Sequence, residues 1–205
     1  MIVGIVLALG AIVVVAVAVT VVLVRQKDPL RRGGALRRIG VAVMVVFTGF
    51  GAIFIGGYAM EDPGGNAGLT VTLAWVAPML VLAAAAWFWP AFAAPLLISL
   101  TSALVAACLW FAVDPEYARS FISGLGPVVA VSVIALAFPA AVLGLKRTAL
   151  AGWLLIALGV LPLLITIVGR SGPVVSLAAA SVVPLIAGII YLASVRIARP
   201  HPATV

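Results

Sequence analysis

The chain has 205 residues, 66% of them hydrophobic and 8% charged, with a formal net charge of +7. A water-soluble domain carries about 25% charged residues, so the polar surface is too small for a body in water and the solvent must be mostly lipid. The positive excess sits at the edges of apolar runs, without interleaved aromatics that would stack bases, which argues for topology and anionic lipid rather than nucleic acid.

The first apolar run, residues 2–24, has no charged side chain before Arg25. It is too long for a signal-peptide core, and its positive cluster follows it rather than precedes it. An uncleaved first span with its N-terminus outside is expected. Next comes Arg25 to Arg38, which holds Arg25, Lys27, Arg31, Arg32, Arg37 and Arg38 against one acid, Asp28. Six of the 12 basic residues therefore lie in one short stretch between apolar runs. It reads as a cytoplasmic loop that orients every later segment. It is also the candidate contact for anionic lipid headgroups or a partner protein.

Further spans are expected at residues 39–60, 68–89, 91–113, 121–145, 149–168 and 173–195. Glu61 to Asn66 reads as an outer turn. Trp87-Phe88-Trp89-Pro90 reads as an inner turn, because a residue before proline avoids helical geometry and tryptophan prefers the headgroup level. Counted this way, every basic residue except Arg119 and Arg170 falls on one side, and Glu61, Asp62, Asp114 and Glu116 fall on the other. The positive-inside rule then gives a seven-helix, all-α integral membrane bundle. Its N-terminus is outside and its C-terminus is cytoplasmic. One transmembrane domain, 1–195, is followed by a short tail, 196–205. Aromatic belts are expected from Tyr58, Trp110, Phe111 and Tyr117 at the outer edge, and from Trp87, Trp89, Trp153 and Tyr191 at the inner edge.

No Asp, Glu, Lys, Arg or His lies within an expected span. That argues against proton relays, carboxylate-coupled antiport and voltage sensing, and against haem held by paired histidines. Cys108 is the only cysteine and His201 the only histidine. Neither a disulfide, a clustered metal site nor a Ser–His catalytic pair can be assembled from them. The outer carboxylates read as solvated loop charges. In span count alone the chain resembles rhodopsins and G-protein-coupled receptors. It departs from rhodopsins in having no lysine in its last span, and from the receptors in having no acidic-Arg pair after Trp87-Phe88-Trp89.

Inside the spans, small residues recur every fourth position. Examples are Thr48, Ala52 and Gly56; Ala91, Pro95, Ser99, Ala103 and Ala107; and Ser176, Ala180, Pro184 and Gly188. Such stripes read as helix-packing faces. Pro78, Pro139, Pro162 and Pro184 are expected to kink four helices. Thr48, Thr101, Ser102, Ser132 and Ser181 fall near mid-span and are the candidates for a polar lining. Two functions are compatible with these patterns. The first is a non-catalytic accessory or assembly subunit of a cell membrane, without cofactor, whose partners are the bilayer, its anionic headgroups and other membrane subunits or a second copy. The alternative is a small transporter or channel for a neutral or lipid-like solute. The excess of Arg over Lys, with abundant Ala, Val and Gly, fits a GC-rich bacterial genome.

Overall fold

The computed structural model describes residues 17–26, 28–113, 115–168 and 175–198. Within them every regular element is helical: α1 (17–25), α2 (Pro29–Ala59), α3 (Gly65–Phe88), α4 (Pro90–Val113), α5 (Pro115–Leu143), α6 (Thr148–Val168) and α7 (Val175–Ile197). Leu30–Ala59, Gly65–Phe88 and Pro90–Trp110 are each long and apolar enough to cross a membrane. Val129–Leu143, Thr148–Leu164 and Ser181–Ile197 are shorter apolar helical stretches among the described residues. Residues 2–16 of the first expected span, Lys27, Arg170 and the tail from Arg199 lie outside the described residues.

The basic stretch is the first departure from expectation. It is not a loop from Arg25 to Arg38, because α2 starts at Pro29 and carries Arg31, Arg32, Arg37 and Arg38 on its first three turns. The start is written locally. Asp28 is the N-cap, its Oδ1 accepting from the Leu30 amide at 3.0 Å, and proline occupies the first helical position. An acidic cap satisfies an orphan amide, and proline there forfeits no hydrogen bond. α2 has 31 residues, about 46 Å at ~1.5 Å per residue. About 20 residues suffice for the hydrocarbon core. The surplus corresponds to the arginine-bearing turns.

The turn expected from Glu61 to Asn66 is also tighter than expected. Met60–Gly64 forms one π-helical turn, and α3 begins at Gly65. Gly64 and Gly65 have φ of 73° and 53°, a region where only glycine is free of Cβ strain. A Cβ on Gly68 would run into the Ala59 carbonyl, so the two helices meet backbone to backbone beside the turn. At the other end, Trp89 (φ −126°, ψ 65°) is the single residue between α3 and α4, as its position before Pro90 predicts.

The core is shared by Met44, Leu97, Val133, Leu143, Leu155, Leu158 and Tyr191, with many alanines between them. Helices α6 and α7 form its closest pair. A Cβ on Gly159 would lie 2.6 Å from Leu185 Cγ, one on Gly188 2.8 Å from Ile156 Cγ1, and one on Gly152 2.8 Å from Leu192 Cδ2. Each larger side chain thus fills the place of a glycine opposite. The contacting positions on α7, Ser181, Leu185, Gly188 and Leu192, alternate steps of four and three. That is the spacing that keeps one face turned to a neighbour at a shallow crossing angle.

The four-residue stripes fare differently. On α4, Ala91, Pro95, Ser99, Ala103 and Ala107 are all exposed. The buried positions are instead Ala93, Ala94, Leu97, Thr101 and Cys108, with Leu104 half-buried. A step of four residues advances about 400°, so a strict four-residue stripe drifts ~40° per step and leaves the contact face. On α2 the stripe does meet a neighbour, Gly56 lying against the Thr72 side chain. On α7, Pro184 and Gly188 are buried. Pro78, Pro162 and Pro184 lie inside helices that continue past them, as does Pro139 near the end of α5.

Candidate functional site

The arginines of α2 are sorted by the packing of the helix that carries them. Gly33, Leu36, Gly40 and Met44 are buried, and their spacing defines one face. A Cβ on Gly33 would lie 3.1 Å from both Ala198 Cβ and the Ser194 carbonyl, and one on Gly40 3.3 Å from Tyr191 Cζ. This face therefore docks on the end of α7. Arg31 and Arg38, seven residues apart, point the opposite way and are exposed. Arg32 and Arg37 are half-buried beside the seam. Each donates from Nε to a main-chain carbonyl: Arg32 to Gln26 at 2.9 Å and Arg37 to Gly33 at 3.4 Å.

Arg31 and Arg32 stand in the first turn of a helix, where the macrodipole favours anions over cations. Only Asp28 offsets them locally, 3.6 Å from Arg31 Nε, and both side chains are at least half exposed. Such a pair contributes little. Helix stability therefore does not explain the placement of Arg31 and Arg32.

The same end of the molecule gathers other cations. Tyr191 lies against Gly40 of α2 and Gly144 after α5, and its hydroxyl donates to the Ala141 carbonyl at 2.7 Å. This ties the ends of α5 and α7 to the start of α2. Lys146, in the turn between α5 and α6, donates to the Trp87 carbonyl and lies 5.5 Å from the centre of the Trp87 ring. That turn is thereby fastened to the one between α3 and α4. Arg147 follows Lys146 and is exposed, and Arg196 occupies the last turn of α7. Arg25 is the last residue of α1 and is exposed.

Trp87, Trp89 and Trp153 are 47%, 68% and 63% exposed. Tyr191 does not belong with them: it is fully buried. A tyrosine near a helix end reads as interfacial in sequence, but the glycines at 40 and 144 that make room for its ring come from α2 and from the turn after α5. At the opposite end Tyr58 and Trp110 are exposed. The side chains of Phe111 and Tyr117 lie outside the description.

The mid-span hydroxyls do not converge on one place. Thr48 of α2 is buried, and its Oγ1 has no hydrogen-bond partner. Trp75 Nε1 on α3 is likewise buried and unpartnered. Ser132 is half-buried on α5. Thr101 and Ser102 of α4 line an open groove of about 480 Å³ against α6, with Ile98, Val105, Ala106, Leu109, Leu150, Trp153, Leu154 and Ala157. Ser181 is buried on α7, where its carbonyl faces Gly159 of α6. On α6, Leu150, Leu154 and Ala157 turn to the groove while Gly152, Ile156 and Gly159 turn to α7. These two sets are offset by two residues, about 200° around the helix, so α6 stands between Thr101 and Ser181. Among the described residues no group of three or more His, Cys, Asp or Glu side chains is placed to hold a metal ion.

Two features were missed in the sequence. Asp28-Pro29 is a readable helix start, an acidic cap before a first-position proline, and it would have placed the arginines on a helix. The groove between α4 and α6 has no sequence signal, because its two walls are some 50 positions apart. No family model, curated protein or solved structure matches the chain.

Proposed function

We propose that this is a seven-span integral protein of the cell (plasma or inner) membrane, N-terminus outside and C-terminus cytoplasmic. In this reading it works as a non-catalytic accessory or assembly subunit, through its helix faces and its basic cytoplasmic end. The observation that carries the reading is the gathering of Arg31, Arg32, Arg37, Arg38, Lys146 and Arg196 at one end, from segments far apart in sequence. A positive-inside protein needs this arrangement, and anionic headgroups or an acidic partner supply the attraction that the helix dipole lacks. The scatter of the mid-span hydroxyls, with α6 between two of them, supports a packing role over a lined pathway.

Cysteine labelling tests the topology. Cys108 is buried, so the native background is low. Nothing stands within 4 Å of a Cβ at Gly34, and Asn66 is exposed. With an impermeant maleimide on intact cells, Asn66→Cys is expected to label and Gly34→Cys only after permeabilisation. The reverse pattern rejects the orientation.

A second reading, a transporter or channel for a neutral or lipid-like solute, is favoured by Thr48 Oγ1 and Trp75 Nε1. Buried polar atoms without a partner carry a desolvation cost, which a passing solute or water would relieve. Solute flux in vesicles of purified protein, abolished by Thr48→Val in a folded variant, would replace the first reading with this one.

A further inference from the structure

We propose that the paired ends of α2 and α7 form a docking surface for an acidic segment of a cytoplasmic protein. This deepens the accessory-subunit reading and rests on it. Height, packing and charge each point to this partner.

Gly40 and Gly144 both stand against the Tyr191 ring, so the turn after α5 lies level with Gly40. Lys146 in that turn donates to the Trp87 carbonyl, which brings the turn between α3 and α4 near the same level. From Gly40 to Ala59, α2 has no charged side chain, and about 20 residues suffice for the hydrocarbon core. α2 nevertheless begins at Pro29. Arg31 therefore stands about 13 Å beyond Gly40 at ~1.5 Å per residue. A headgroup layer is about 5–8 Å thick on each side. Helical side chains also lean towards the N-terminus, here away from the bilayer. Arg31 and Arg32 thus reach past the headgroups into water, while Arg37 and Arg38 stay level with them. Lipid phosphate meets the second pair; a partner in the aqueous phase meets the first.

The projecting turns are not a lone helix. A Cβ on Gly33 would lie 3.1 Å from both Ala198 Cβ and the Ser194 carbonyl, so α7 runs beside α2 over this stretch. Leu36 is buried there. Arg32 Nε donates to the Gln26 carbonyl, which ties the end of α1 to the same stub.

Arg25, Arg31, Arg38 and Arg196 are exposed at this end, and Asp28 is its one acid among the described residues. Arg31 and Arg38 lie on one face about 10 Å apart, the spacing of carboxylates two turns apart on an acidic helix. Arg32 and Arg37 are held through Nε, which leaves their terminal nitrogens to meet a carboxylate as a fork. Residues 28–38 and 192–198 include no aromatic side chain, and single-stranded nucleic acid binds on such platforms.

The test is fluorescence anisotropy of a labelled glutamate-rich peptide with the full chain in phosphatidylcholine nanodiscs, where no anionic lipid competes. Wild type is expected to bind, and more weakly as salt is raised. Arg31→Gln and Arg32→Gln should each weaken binding about threefold, and the double variant about tenfold. Arg147→Gln, in a turn at membrane level, should change it less than about twofold. In vesicles containing phosphatidylglycerol, a spin label on Leu30→Cys should be open to a water-soluble relaxation agent. Leu30 is 69% exposed and Cys108 is buried, so the label reports this turn.

Absence of peptide binding overturns the proposal, as does binding that Arg31→Gln and Arg32→Gln leave unchanged. A single-stranded oligonucleotide bound more tightly than the peptide overturns it in favour of nucleic acid. A Leu30→Cys label sheltered at headgroup depth overturns it in favour of a lipid surface. Failure of the underlying reading shows up separately. Labelling of Gly34→Cys in intact cells rejects the orientation, and with it a cytoplasmic partner, even where the peptide binds in nanodiscs.

Discussion

The Tyr191 hydroxyl donates to the Ala141 carbonyl at 2.7 Å, across the space between α7 and the end of α5. The last carbonyls of a helix lack intrahelical partners, and Ala141 stands two residues before the last residue of α5. Its oxygen also accepts from the Gly144 amide at 3.0 Å, so the tyrosine supplements a local bond. Replacing Tyr191 by Phe removes one hydrogen bond and keeps the ring. A loss of about 0.6–1.5 kcal/mol is expected. Tyr191→Ala empties the site between Gly40 and Gly144 and should cost about 3–5 kcal/mol. Thermal unfolding in detergent reads both. A Phe variant as unstable as the Ala variant would place the energy in the hydroxyl instead of the ring.

Helices α6 and α7 should be the pair least tolerant of added bulk. A Cβ on Gly188 would lie 2.9 Å from the Gly152 carbonyl, and one on Gly159 2.9 Å from the Leu185 amide nitrogen. Backbone atoms cannot turn aside as a side chain can. Gly188→Ala and Gly159→Ala are each expected to destabilise by about 1–3 kcal/mol. Gly49→Ala is the control, since nothing lies within 4 Å of its Cβ. Equal stability of all three variants in a thermal unfolding series would deny the close approach of the two helices.

Removing the charge of Arg31, Arg32, Arg37 and Arg38 together, each to Gln, should leave the bundle folded. Arg31 and Arg38 face away from the seam, and Arg32 and Arg37 flank it. The orientation of the spans should become mixed, because the excess of basic residues on that side is halved. A Gly34→Cys reporter in that background is expected to label partly in intact cells. Solubilised protein should also bind anionic liposomes more weakly, by about fivefold per arginine near the surface. Uniform orientation together with unchanged liposome binding would remove this stretch from any topological or lipid role.

Ser102→Ala and Ser181→Ala should alter stability and nothing else. The two residues lie on opposite sides of α6, one in the groove and one facing Gly159. Each change is expected to cost about 1 kcal/mol or less. Vesicles reconstituted with either variant are expected to match wild type in permeability to small neutral solutes. A flux present in wild type and absent from a folded variant would show that the hydroxyls serve a solute.

How much of this was legible in the sequence follows from the range of the forces involved. The lipid-facing character, the positions of most turns and the break at Trp89-Pro90 are local properties of apolar run length, charge and proline geometry. They needed no partner to be read, and the described helices agree with them. Asp28-Pro29 is local too: an acidic cap before a first-position proline marks a helix start inside the basic stretch.

Other properties depend on which helix lies beside which, and only the tertiary structure decided them. Tyr191 became a core residue because Gly40 and Gly144, from two other elements, leave room for its ring. The α4 stripe from Ala91 to Ala107 turned outward because contact faces here alternate steps of three and four, and a strict step of four drifts off such a face. Thr101 and Ser181 share mid-span depth in the sequence, but depth says nothing about rotation around a helix, and α6 separates them. The sequence by itself determined what solvent the chain prefers and where its charge is concentrated, since transfer free energy is a sum over residues. The assembly of that charge at one end, and the opening of a groove between α4 and α6, came from packing between elements far apart along the chain.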